Sequence, residues 1–164
     1  MSRHLIPLIA SAVSLLAWAP PAVRAEPPCP PRQATVVGDW GSPGLAVQGV
    51  VARVRFPSSL GLEKKSGSIS GAVENATGVD GGLFDATVRD SNGDGVDDLV
   101  TIGLVGSDIP AGRFATVRFQ CREAVPQESL ELSCALEAAS SKGEVPGSCR
   151  VEWDAAPSKS THRL

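Results

Sequence analysis

Tyrosine is absent from this 164-residue chain, and histidine occurs only at His4 and His162, near the two ends. A serine or cysteine nucleophile needs a base to take its proton, so hydrolase triads built on histidine are excluded. A histidine-ligated metal centre is excluded with them. No Cys-x-x-Cys spacing occurs among the four cysteines, which argues against structural zinc. Basic side chains do not dominate either: 15 Lys and Arg stand against 18 Asp and Glu, with the arginines scattered. That balance argues against nucleic acid or an anionic membrane as partner. What remains for catalysis is carboxylate chemistry, such as Asp85 or Asp108 acting with a glutamate on a glycoside. No motif pairs such groups, so the chain is expected not to be an enzyme, with a carboxylate glycosidase as the least favoured alternative.

Long apolar runs are also scarce, and the one present is at the start. Leu5 to Ala19 follows Arg3 and His4, and small residues stand before Glu26 in Ala22-Val23-Arg24-Ala25. This pattern is expected of a secretory signal peptide over residues 1–25, cleaved near Ala25-Glu26. Pro7 and Pro20 bound a run too short to span a bilayer comfortably. The expectation is export, extracellular or periplasmic, with no membrane anchor. Losing Arg3 and Arg24 leaves 13 basic against 18 acidic groups, net −5, over about 139 residues, one domain's worth. Cys29, Cys121, Cys134 and Cys149 all lie in that part, and an even count in an exported chain suggests two disulfides. Four cysteines allow three connectivities. A chain reversal near Pro126-Gln127 favours Cys121 with Cys134, leaving Cys29 with Cys149.

The densest motif is Asp90-Ser91-Asn92-Gly93-Asp94-Gly95-Val96-Asp97-Asp98. It places oxygen side chains at loop positions 1, 3, 5 and 9 and glycine at 6, the opening of a D-x-[DN]-x-[DN]-G calcium loop. A hard cation takes 6 to 8 oxygens, and four carboxylates within nine residues repel one another without a countercharge. The expected ligands are Asp90, Asn92, Asp94, the Val96 carbonyl and Asp98, holding a structural Ca2+. An EF-hand would put glutamate at position 12 and helices on both sides. Here position 12 is Thr101, and both flanks alternate with period 2. The loop is therefore expected at a β-hairpin tip, and it resembles the strand-loop-strand calcium site of FG-GAP repeats. A plain Asp- and Gly-rich turn that binds nothing is the alternative.

Gly (17) and Pro (13) cut the chain into short alternating segments. Apolar faces are read at Val50, Ala52, Val54 and Phe56; at Phe84, Ala86 and Val88; at Val100, Ile102 and Leu104; and at Ala115, Val117, Phe119 and Cys121. Further faces fall at Leu130, Leu132, Cys134 and Leu136, and at Cys149, Val151 and Trp153. A first strand is read over Ala34 to Val37, another over Ser68 to Val73, and a long polar loop over Ala139 to Gly147. The sum is an all-β jelly-roll sandwich of about seven to nine strands over residues 34–154, after a Pro-rich leader (26–33) and before a disordered tail (155–164).

From Val47 onward three segments occur in an order that resembles cohesin domains. Gln48-Gly49-Val50-Val51-Ala52-Arg53-Val54-Arg55-Phe56-Pro57-Ser58-Ser59-Leu60 is similar to their G-x-x-F-x-L-x-Y-D-P-x-x-L segment, with Arg55-Phe56 where the family has Tyr-Asp. Leu99 to Ser107 is similar to L-x-V-A-x-x-G-S, and Ile109 to Phe119 to I-x-x-G-x-L-A-x-I-x-F. The resemblance implies a jelly-roll module that catalyses nothing and holds a dockerin-like protein in polysaccharide-degrading systems. From the residues themselves, outward Val51, Arg53, Arg55, Thr116, Arg118 and Gln120 are candidates for one flat binding surface. Direct polysaccharide binding is the alternative, with Trp40, and less so Phe114, as the aromatic platform. A monomer is expected.

Overall fold

The computed structural model describes residues 31–41, 45–64 and 68–154, and these form two antiparallel sheets packed face to face. The ten strands are β1 (Arg32–Trp40), β2 (Val47–Arg55), β3 (Leu60–Leu62), β4 (Val73–Asn75), β5 (Leu83–Arg89), β6 (Leu99–Val105), β7 (Gly112–Cys121), β8 (Ser133–Ser140), β9 (Gly143–Val145) and β10 (Gly147–Trp153). One 3-10 turn, Gln127–Ser129, is the helical element among the described residues. The first sheet runs β10-β1-β7-β3, with β4 also paired to β7; the second runs β5-β6-β2-β8-β9. Most connections cross from one sheet to the other, the winding of a jelly roll; the tight hairpins β5-β6 and β8-β9 and the β3-β4 connection are the exceptions among the described strands.

Alternation along each strand decides which side faces the core. Val50, Ala52 and Val54 of β2 stand beside Ile102, Leu104 and Val100 of β6, and all six are buried. From the other sheet come Ala34 and Val36 of β1 and Ala115, Val117 and Phe119 of β7. Phe119 meets Phe56 and Trp153 edge to face, with centroids 5.3 and 5.8 Å apart, which binds the two sheets at one end. At the other end Trp40 meets Phe114 edge to face at 6.2 Å.

The strand count exceeds the seven to nine expected because short pieces pair on the rims. The stretch read as a loop over Ala139 to Gly147 contains the end of β8 and all of β9, joined in a tight hairpin through Ser140 and Gly143. β1 is longer than read, taking in Arg32 and Gln33 from the supposed leader and running on to Trp40. The Ser68 to Val73 segment is strand only from Val73 onward. Leu130 and Leu132 precede β8 rather than belong to it, although Leu130 is buried. The signal-peptide, leader (26–30) and tail (155–164) readings, and Cys29, lie outside the described residues. No helix among the described residues is long and apolar enough to cross a membrane.

The favoured cysteine pairing is corrected: Cys134 bonds Cys149, with Cα atoms 5.7 Å apart. A hairpin from Cys121 to Cys134 was the premise, yet the chain leaves β7 in one sheet and enters β8 in the other. Cys149 sits on β10 at the rim of the first sheet, and Cys134 on the stretch of β8 that β9 leaves unpaired in the second, so the bond closes that side of the sandwich. Cys121 is also disulfide-bonded.

Candidate functional site

The Asp-rich loop sits at the tip of the β5-β6 hairpin, because Phe84, Ala86 and Val88 pair in register with Leu104, Ile102 and Val100. Gly93 and Gly95 take φ of +81° and +87°, a backbone conformation that a Cβ disfavours. Asp90 organises the turn. Its Oδ1 accepts N–H bonds from Gly93 (2.7 Å) and Asn92 (3.1 Å), and its Oδ2 accepts one from Gly95 (2.7 Å). Asn92 Oδ1 accepts from the Asp94 N–H, and Asp94 Oδ1 from the Val96 N–H. At the exit, Asp98 accepts the Ser91 N–H at 2.6 Å and the Ser91 hydroxyl at 2.8 Å.

These bonds stabilise the charged forms. The Gly95 N–H above all, joined by those of Gly93, Asn92 and Asp94, holds the Asp90 carboxyl below its ordinary value of 3.8 against an opposing effect of desolvation second only to the Gly95 bond. The Ser91 N–H and hydroxyl do the same for Asp98, helped by the Arg55 guanidinium. Arg55 also donates to the Ser91 hydroxyl at 3.3 Å, and Lys64 reaches Asp97 at 2.7 Å, so basic groups from two other segments steady the loop. Asp90, Asn92, Asp94 and Asp98 are therefore brought into one loop, while Asp97 turns to Lys64. Among the described residues no group of three or more His, Cys, Asp or Glu side chains converges as a metal cluster. The side-chain donors the loop offers are oxygens throughout, the chemistry that suits a hard cation.

The candidates for a flat binding surface separate. Val51, Arg53 and Arg55 face outward from the second sheet, whereas Thr116, Arg118 and Gln120 face outward from the first, on the opposite side of the molecule. Arg118 is occupied there: it donates to the Gly71 carbonyl at 2.9 Å, to Gln33 and to Glu74, tying β4 to β7 and β1. Arg53 pairs with Glu137 across β2 and β8.

Trp40 is corrected as a sugar platform. It is 6 % exposed, and its indole N–H donates to the Ile109 carbonyl at 3.0 Å. Its ring folds back over Gly38, where an added Cβ would come within 2.0 Å of the indole. Phe114 and Phe119 are wholly buried and Phe56 nearly so, while Phe84 and Trp153 pack against the core. No aromatic ring among the described residues stands free as a flat apolar shelf.

A feature the sequence reading missed lies on the outer face of the second sheet. Register places Leu83, Val105, Gly49 and Ala139 in one row across β5, β6, β2 and β8, and Asp85, Gly103, Val51 and Glu137 in the next. Leu83 and Val105, 72 % and 59 % exposed, are the exposed large hydrophobic residues of the described chain, and they are neighbours. Beside them Gly49 and Gly103 floor a shallow depression walled by Glu137 and Glu144. Neither glycine is at positive φ, and a Cβ on either would meet nothing within 4 Å. Conformation and crowding thus give no reason for glycine at these places; what the missing side chains create is a flat, partly apolar floor. The signal in the sequence was the break in outward polarity at Gly49, Val51, Gly103 and Val105.

No family model, curated protein or solved structure matches the chain.

Proposed function

We propose that this protein is an exported adhesion module without catalytic activity that holds another protein against the outer face of the β5-β6-β2-β8 surface. The observation that carries the reading is the adjoining pair of exposed apolar side chains, Leu83 and Val105, beside a floor of glycine with open space above it. Monomer surfaces expose few contiguous apolar patches, and those rimmed by polar groups mark interaction sites. Here the rim is Asp85, Glu137 and Glu144. The likeness to cohesins adds the partner class, a dockerin-type module. Direct polysaccharide binding is less favoured, because the side chains that would stack on sugar rings are in the core.

The hairpin tip is part of the same proposal. A calcium ion would be held by Asp90, Asn92, Asp94, the Val96 carbonyl and Asp98, adding countercharge to that which Arg55 already brings to Asp98. Its role would be structural, fixing the β5-β6 hairpin.

Gly103→Arg provides the test. The side chain enters open space, so the variant folds, yet it obstructs the floor. In calorimetric titration against a dockerin-type module, wild type binds and Gly103→Arg loses at least tenfold in affinity, about 1.4 kcal/mol. Retention on insoluble polysaccharide that survives Gly103→Arg, with no binding to the module, would sink the protein-partner reading.

A further inference from the structure

We propose that β5 is a self-pairing edge, through which two copies of this chain join antiparallel about a two-fold axis at Thr87. This departs from the monomer expected from the sequence and does not depend on the outer-face reading. β5 pairs with β6 on one side, and no described strand pairs on its other side. Sheet edges in stable monomers are blunted by proline, bulges, inward charges or brevity. β5 has none of these: it is seven residues long, pairs without a register shift, and turns Phe84, Ala86 and Val88 inward. Those three remain part-exposed, whereas Ile102 and Leu104 beside them on β6 are fully buried. A cleft between the sheets also opens along this strand, beside Phe84 and Ala86.

The charges select the occupant. Antiparallel pairing about Thr87 places Asp85 of one copy opposite Arg89 of the other, twice, with Thr87 opposite Thr87. Opposite charges and Thr–Thr pairs are favourable cross-strand neighbours, and a two-fold contact must be self-complementary in this way. Neither Asp85 nor Arg89 has an ion pair or side-chain hydrogen bond among the described residues, so both are free for it. Slipping by one residue would turn the apolar row outward, and slipping by two would set Asp85 against Thr87. Other edges suit pairing less well. β3, β4 and β9 have three residues each, and on β10 Arg150 already donates to Glu152 of its own strand at 2.7 Å.

Sedimentation equilibrium on the full chain tests the proposal by charge exchange. Wild type self-associates; Asp85→Arg and Arg89→Asp each weaken the dimer at least tenfold, because like charges then oppose across the axis; and the double variant D85R/R89D recovers it to within about threefold. Recovery in the double variant separates lost pairing from lost folding. Hydrogen exchange on wild type at low and high concentration supplies a second readout, with protection gained over residues 84–88. Glu144→Lys, at the rim of the outer face on β9 and at the far end of the sheet from β5, leaves the dimer intact, which distinguishes this edge from the outer face. A wild type that stays monomeric at about millimolar concentration overturns the proposal. So do single reversals without effect, a double variant that does not recover, loss of the dimer in Glu144→Lys, or concentration-dependent protection confined to other strands.

Discussion

Asp90 and Asp98 show how single residues set the character of the hairpin tip. Each carboxylate accepts hydrogen bonds from its own loop, Asp90 from Gly95, Gly93 and Asn92, and Asp98 twice from Ser91. Bonds of this kind favour the ionised form, and both groups are held below the ordinary 3.8. The unfolded chain therefore binds more protons than the folded one between the ordinary value and the lowered ones. Stability from these bonds is complete above pH 3.8 and is lost as the pH falls below it through the folded values. In metal-free buffer, denaturant midpoints measured from pH 6 down to about 2.5 should fall with acid, and less steeply in the double variant Asp90→Asn/Asp98→Asn. Equal slopes in the two proteins would show that the loop carboxylates are not responsible. The same scale explains Trp40. Glycine at position 38, two residues back on the same strand face, leaves the room into which the indole folds, so an aromatic that looks like a platform becomes core.

At the scale of elements, legibility follows the range of the interactions that fix each one. The β5-β6 hairpin is written locally, in two runs of alternating side chains separated by an Asp- and Gly-rich turn, and the structure places it where the pattern does. The inward faces of β2, β6 and β7 are legible for the same reason: period 2 is a property of each strand alone. Which strand lies beside which is not local. Cys121 and Cys134 are close in sequence yet belong to different sheets, because the segment through Gln127–Ser129 crosses the sandwich instead of reversing. Arg53 and Arg118 face opposite sides of the molecule for the same cause, since both alternate outward but from different sheets. The bond that does form, Cys134–Cys149, closes a loop of sequence separation 15 and joins β8 to β10. Chain-entropy reasoning values such a cross-link at about 3 kcal/mol. The double variant Cys134→Ala/Cys149→Ala should accordingly melt about 10 °C lower than wild type, given the usual sensitivity for a domain of this size. A loss under about 2 °C would mean that the core alone holds β10 against the second sheet.

For the whole molecule, the two sides of the sandwich are unequal. The β8-β10 side is cross-linked, whereas the β5 side is open along its edge and capped at one end by the acidic loop. An ion bound at that tip would act on the weaker side. It would draw Asp90, Asn92, Asp94 and Asp98 together at the point where β5 turns into β6, and would oppose fraying from the open edge inward. Binding to the folded state alone raises global stability by mass action, about 2.7 kcal/mol when free calcium is a hundred times its dissociation constant. The expected result is a melting temperature several degrees higher in calcium than in chelator, with Asp94→Ala melting alike in both. Hydrogen exchange assigns the gain to its place: added protection should be greatest over β5 and the adjoining strand β6, and least over β8 and β10. A calcium shift that Asp94→Ala retains, or protection spread evenly over both sheets, would move the ion away from the hairpin and leave its aspartates as an ordinary turn.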